Sequence, residues 1–391
     1  MKHSKGRIKD FGRVLPARFF LEEGEGMNKN YYYDISEDLK NFPDAWCYLI
    51  YGGRNTGKTY GALNYEVQNH QQFAYLKRTK DDVGLLCTGG GKKAQELQID
   101  MDLSPFVSLN RDKGWNIRAT SITDEVGVFL HYDGDNKPIP NQRPVGYILA
   151  LSVVGKYRGF DLSTCKHIIL DEFVPARFER KMPKEGESLL DLYKTVSRDR
   201  EHRGQDALKL ICLSNANDIV CPLVDTLEVM DDIVQLKHSG KDYIYNAERG
   251  IFIRCLEPNE EFKQRERNTA IAKGMKGTKW FQSSIENEFA FNDFSKINKA
   301  QLRYSKPLCK YYYKRTWNYV YYNEDRVEYY VTERSTNNQI PDYNLDIEGD
   351  VILFGEVRGN LVNAIADGNI RFDKYSQYNL IMDYWKIFKR A

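Results

Sequence analysis

The run Gly52-Gly53-Arg54-Asn55-Thr56-Gly57-Lys58-Thr59 constrains this chain more than any other stretch. It fits the pattern G-x-x-x-x-G-K-[ST], and it lies between an apolar run, Trp46–Tyr51, and a segment with helical patterning. A loop of this kind turns backbone N–H groups toward phosphate oxygens at the positive end of the helix that follows. Lys58 then reaches the terminal phosphates, and Thr59 helps to hold magnesium. The arrangement needs a strand on one side and a helix on the other, so the sequence predicts an α/β domain with a parallel sheet covered by helices. ATP and Mg2+ are the expected cofactors.

The stretch from Trp46 to Leu213 supports that class, because short apolar runs alternate with longer polar or helical ones. Candidate strands are Trp46–Tyr51, Phe73–Lys77, Tyr147–Val154, His167–Leu170 and Leu208–Leu213. The loop segments Asp81–Gly91 and Asp133–Pro144 read as surface insertions. His167–Leu170 runs into Asp171-Glu172, the acidic pair that a phosphate-binding loop needs as its second half. Asp171 is expected to hold Mg2+ through water, and Glu172 to orient or deprotonate the attacking water. Leu208–Leu213 ends in Ser214-Asn215, where Asn215 is a candidate sensor of the γ-phosphate. The same residues are also good turn chemistry.

Beyond Asp218 the pattern changes. Asp231–Leu256 alternates like a small hairpin, Asn259–Ala272 and Trp280–Phe289 read as helices, and Lys310–Arg334 is Tyr-rich with β character. Further short strands such as Asp350–Phe354, and a final helix from Ser376, complete the chain. The expected division is an ATPase domain over residues 1–230, a linker with a small hairpin and helices over 231–300, and a smaller α+β domain over 301–391.

Composition excludes several classes. With 391 residues, 41% hydrophobic and 29% charged, the chain is an ordinary globular sequence with room for two domains. Its longest apolar stretches fall far short of the roughly 20 residues that span a bilayer. The basic N-terminus (Lys2, Lys5, Arg7, Lys9, Arg13, Arg18) lacks the apolar core of a secretory signal, so cytoplasmic residence is the expectation. Seven scattered cysteines without metal spacing read as reduced core residues. Net charge is only 57 − 55 = +2, yet Lys263–Arg315 holds 13 basic residues against four acids, a local excess of 13 − 4 = +9. That stretch is either a solvated helical face or a contact surface for phosphates.

Arg198, Arg200 and Arg203 cluster after the helical segment Ser188–Val196. An arginine that completes a neighbouring subunit's site meets charge that develops only in the transition state. Surface arginines on a helix are the plainer reading, and Arg54, inside the loop, can serve the same role within one subunit.

Several of these features together resemble the terminase-type viral DNA-packaging ATPases: the double glycine followed by Arg54, the strand Phe73–Lys77 running into Arg78-Thr79, Tyr157-Arg158-Gly159 ahead of Asp171-Glu172, and Ser214-Asn215. Lys273–Phe291 (KGMKGTKWFQSSIENEF) resembles more narrowly the compact packaging ATPases of the phi-twenty-nine-like short-tailed phages. The resemblance covers Tyr31 to Phe294. It implies a P-loop NTPase of the ASCE type whose nucleotide-binding set includes Arg78, followed by a helical linker region and a nuclease-like C-terminal domain. It also implies a homo-oligomeric ring, typically of five subunits, that pushes double-stranded DNA into a preformed procapsid. Such a ring docks on the portal protein in the host cytoplasm, and in some relatives a structural RNA takes part. The trans-acting arginine of the family falls near Arg198–Arg200.

Larger relatives carry an active nuclease that needs clustered carboxylates for two metals. Here the presumptive opening strand Tyr311–Tyr322 has no acid, and Asp346, Glu348 and Asp350 alternate beside a Gly turn, which suits solvent as well as metal. The expectation is therefore a vestigial nuclease domain. Alternatives are a P-loop helicase or replication ATPase, a terminase with an active nuclease, and a nucleotide-gated assembly protein that does not hydrolyse. A helicase of two motor domains should show a second loop, and none follows Asp218.

Overall fold

The computed structural model describes residues 32–87, 102–175, 182, 184–215, 218–257, 260–286 and 292–383. The basic N-terminus, the Gly89–Gly91 run, Asn217 and Asn259 lie outside them.

Cys47–Gly52 forms β1, buried at every position, as a strand covered on both faces must be. It sits inside a nine-stranded sheet. The other strands are β2 (Gln72–Lys77), β3 (Ile117–Ser121), β4 (Val126–His131), β5 (Gly146–Ala150), β6 (Cys165–Asp171), β7 (Lys209–Asn215), β8 (Tyr243–Asn246) and β9 (Ile251–Cys255). The order is β3-β4-β5-β2-β6-β7-β1-β9-β8, parallel from β5 through β9 and antiparallel at both edges. The parallel α/β architecture expected from the sequence is present.

Alternate side chains feed two apolar layers. Leu49, Ala74, Leu76, Ile168 and Leu170 pack with Leu189, Leu192 and Val196 of the helix Glu185–Ser197. Tyr48, Ile50, Phe73, Tyr75 and Ile169 pack on the other face with Ala62 and Leu63 of Lys58–Gln68, the helix that follows the phosphate-binding loop.

Residues 305–372 form a second sheet: β10 (Ser305–Tyr313), β11 (Thr316–Asn323), β12 (Glu328–Thr332), β13 (Asp342–Asn344) and β14 (Ile370–Phe372). Its order is β13-β10-β11-β12-β14, and the helix Glu348–Asp367 lies on one face through Val351, Phe354 and Leu361. Four sequence expectations are corrected here. Asp231–Leu256 is a helix, Met230–Ser239, followed by a hairpin, and β9 of that hairpin pairs with β1, so it completes the main sheet and is no part of a linker. Asp350–Phe354 lies inside a 20-residue helix; a short apolar run cannot by itself be told from a buried strand. Asp81–Cys87 is helical, within Lys80–Cys87. Tyr311–Tyr322 is two strands joined by a tight turn, missed because that turn carries no glycine or asparagine.

The turn is Lys314-Arg315, both in the left-handed region at φ 47° and 64°. Each such residue costs on the order of 1 kcal/mol. The strain is offset across the domain boundary: Lys314 Nζ donates to Asp225 Oδ1 at 2.6 Å, and Arg315 pairs with Glu228. Beside them, the backbone N–H and hydroxyl of Ser376 both donate to Asp231, at 3.0 and 2.6 Å. Together these bonds seat the second sheet on the helices that follow β7. All seven cysteines are free and buried, and no helix among the described residues is long and apolar enough to cross a membrane.

Candidate nucleotide site

Because β1, β6 and β7 are adjacent and parallel, their C-terminal ends coincide. Gly52 is in register with Asn215, and Asp171 with Leu213. That coincidence brings the loop, the acidic pair and the candidate sensor to one edge of the sheet, where ligands of open α/β sheets bind.

The loop has the backbone that phosphate binding needs. Asn55 and Gly57 are left-handed, at φ 61° and 81°, and the Thr56 hydroxyl bonds to Gly53 O at 3.0 Å. A strap at Tyr32–Asp34 lies across it, with Tyr33 N–H on Thr56 O at 2.9 Å. A Cβ on Gly61 would come within 2.3 Å of Tyr33 O, so the strap demands glycine one turn into the helix. Arg54 is exposed at the loop's rim.

Lys58 is buried and its amine is held in the loop's cup by Gly53 O (2.7 Å), Gly52 O (3.2 Å) and the Thr56 hydroxyl (3.2 Å), with Asn215 Oδ1 at 3.4 Å. Burial pulls its pKa down to about 8, against the smaller opposing effects of Asp171 and Glu172. A phosphate chain would restore the charge, so above pH 8 binding must take up a proton at Lys58. Nucleotide affinity is expected to be flat below pH 8 and to weaken by up to about tenfold per pH unit above it. Calorimetry in buffers of different ionisation enthalpy checks this: uptake near one proton at pH 9 and near none at pH 7 is expected, and equal uptake at both would contradict it.

Asp171 stands 3.0 Å from the Thr59 hydroxyl, which donates to its Oδ1. The pair fits a magnesium site, since a hydroxyl and a carboxylate meet where an oxygen-preferring cation would need them. Glu172 is exposed and left-handed at φ 60°, a strained backbone for a non-glycine residue. With Asp171 it lines a cleft of about 450 Å³ shared with Lys77, Arg78 and Thr79. Residues of this type therefore converge: Lys58, Thr59, Asp171, Glu172 and Asn215.

Two sequence candidates are held by remote parts of the chain. Arg78 is clamped by Glu185, Nε to Oε1 at 2.7 Å and Nη2 to Oε2 at 2.8 Å, with both side chains nearly buried. Breaking such a pair costs about 3–5 kcal/mol, so Arg78 secures the helix Glu185–Ser197 while it lines the same cleft as Asp171 and Glu172. Arg200 is buried, and its Nη2 donates to Ser163 O (2.9 Å) and Cys165 O (2.6 Å), so it faces inward and cannot extend to another subunit. Arg198 does lie on the surface, left-handed at φ 48°, with Nη2 on Phe160 O at 2.6 Å. Sequence reasoning missed Tyr75, whose hydroxyl meets Asp171, and the buried pair Glu66–His167 (2.6 Å), which joins the helix after the loop to β6. Both join residues far apart in the chain, and no local spacing signals them.

Comparison with known proteins agrees with the fold. A family model described as Podovirus DNA encapsidation protein (Gp16) matches residues 136–389, more than half of the chain. The DNA packaging protein of Bacillus phage B103 is 29% identical over 341 residues, covering 83% of this chain and 92% of its own length. Among solved structures, the bacteriophage Phi-29 viral genome packaging motor assembly matches at 19% identity with a TM-score of 0.55, over 91% of this chain and 99% of that one. The Phi-28 gp11 DNA packaging motor matches at 17% identity and a TM-score of 0.54, over 90% and 98%. These two likenesses speak for the fold. With the family model spanning both the acidic pair and the second sheet, the chain belongs to the podovirus DNA encapsidation family.

Proposed function

We propose that this chain is an ATP-driven motor that moves double-stranded DNA into a preformed procapsid. The observation that carries the reading is the meeting of Lys58, Thr59, Asp171 and Asn215 at the ends of three adjacent strands in a member of an encapsidation family. In this reading Gly52–Thr59 cradle the phosphates, and Lys58 exchanges its loop carbonyls for phosphate oxygens. Thr59 and Asp171 hold Mg2+, which when bound supplies positive charge to those oxygens. Glu172 takes the proton of the attacking water, Asn215 senses the terminal phosphate, and Arg198 serves a neighbouring subunit's site. The proposed assembly is a ring of five at the portal vertex in the host cytoplasm, with a structural RNA as a further partner. The nucleotide-binding unit runs to Cys255, because β9 completes its sheet, and residues 305–383 form the second domain. This domain is proposed not to cleave DNA, because its first two strands, β10 and β11, present no carboxylate to a metal. ATP turnover of the purified protein alone and with duplex DNA, duplex RNA or empty procapsids tests the reading; turnover that ignores all three would count against a motor.

DNA contact is proposed for the basic stretch 263–315. Many of its cations are internally paired: Lys263, Arg265, Arg267, Lys306, Lys314 and Arg315 all have carboxylate partners. Lys273, Lys276 and Lys279 have no ion pair among the described residues, and they sit on two short helices, Ala270–Met275 and Lys279–Ser284, and the turn between them. Replacing these three with alanine is expected to reduce the salt slope of duplex binding by about 0.9 per lost phosphate contact, with sequence preference unchanged. An unaltered slope would return the segment to a merely solvated surface.

A further inference from the structure

Asp171 presents two carboxylate oxygens, and they have different partners. Oδ1 accepts from Thr59, the loop residue that would share a metal with it. Oδ2 accepts from the Tyr75 hydroxyl at 2.7 Å, with Lys77 Nζ 3.7 Å away. Tyr75 lies on β2, paired in register with Ile169 of β6, so it reaches Asp171 across one strand spacing from two residues further along. Its ring is pinned: it is 1% exposed and meets Phe129 edge-on at 5.8 Å. A phenylalanine would fill the same apolar layer. The hydroxyl therefore carries a desolvation cost that the core does not require, and Asp171 is the side chain that satisfies it.

We infer that Tyr75 is a positioning residue for the metal-holding carboxylate. By tying down Oδ2 it fixes the plane of Asp171, leaving Oδ1 turned toward Thr59. A carboxylate free to rotate would spread both oxygens over several orientations and bind a cation less well. Partners of this kind, one bond removed from a metal, typically contribute 10–100-fold to metal affinity. The inference rests on the ATPase reading and adds to it a residue that none of the recognised motifs includes by role.

The test is Tyr75→Phe in the full chain, with a fluorescent ATP analogue titrated at fixed protein against rising Mg2+, and again in EDTA. The expected result is a Mg2+ midpoint at least about tenfold higher, with metal-free affinity for the analogue unchanged, because only the metal-facing geometry is altered. Tyr75→Met, which fills the space without a hydroxyl, should move the midpoint in the same direction; it also serves if the first variant folds poorly. In an Asp171→Asn background, adding Tyr75→Phe should move nothing further. An unmoved midpoint in a folded variant, or an equal loss in EDTA, overturns the positioning role while leaving the ATPase reading intact. If the unsubstituted protein shows no Mg2+-dependent nucleotide binding, the ATPase reading fails and this role falls with it.

Discussion

Turnover is expected to vanish in both Lys58→Ala and Glu172→Gln, and the two losses should differ in kind. Lys58 supplies a charge buried in the loop's cup, at hydrogen-bonding distance from Gly53 O and Thr56. Losing it removes contacts that a bound phosphate would have received, and charge-assisted bonds contribute about 1.5–3 kcal/mol. Affinity for ATP should fall by roughly ten- to a hundredfold as turnover disappears. Glu172 lines the cleft with Asp171, Lys77, Arg78 and Thr79. Its amide analogue cannot accept a proton, which should lower the rate by about 10²–10⁴ while leaving ATP bound. Equilibrium binding and single-turnover hydrolysis, measured on both variants, separate the two. Normal hydrolysis by Glu172→Gln would remove Glu172 from the chemistry, and Lys58→Ala with undiminished affinity would remove Lys58 from the phosphates.

A second large effect is expected at Arg198, which the structure leaves on the surface while it draws Arg200 inside. An assembly made only of Arg198→Ala should bind ATP normally and lose about 10³–10⁵ in rate, because the guanidinium meets charge that exists only in the transition state. Mixed assemblies reveal the direction of action. When Arg198→Ala and Glu172→Gln subunits co-assemble, some interfaces pair an intact Glu172 with an intact neighbouring Arg198, and activity should reappear. Mixtures that never exceed either variant alone, with co-assembly verified, would exclude action in trans and leave Arg54, exposed on the loop's rim, to act within its own subunit.

The parts of this molecule that could be read from the sequence are those written in neighbouring residues. Gly52–Thr59 and the run into Asp171-Glu172 each declare a strand end, and parallel pairing through β7 then fixes their meeting. What escaped depends on distance or on broken local rules. Arg78 and Arg200 looked like free cations, but Glu185 and the carbonyls of Ser163 and Cys165 are supplied by remote segments. β3 and β4 extend the sheet from a stretch that offered no distinct strand pattern. The helix Glu348–Asp367 contains Val351-Ile352-Leu353-Phe354, whose β-forming side chains outweigh helical spacing on paper; packing of Val351 and Phe354 on the second sheet decides otherwise.

The turn at Lys314-Arg315 bears on how this chain could be redesigned. A search for local stability would replace these two residues by Asn-Gly, the pair that suits a two-residue hairpin, and would count the relief of strain as gain. The hairpin taken alone would improve. Its tip, however, is also the point at which the second sheet meets Asp225 and Glu228, and asparagine and glycine remove the cations that Lys314 and Arg315 bring to those carboxylates. Two demands act on one dipeptide, and the residues present satisfy the more distant of them. A residue that is poor for its own turn thus records a constraint imposed from another domain, and substitutions scored one hairpin at a time would remove that constraint unseen.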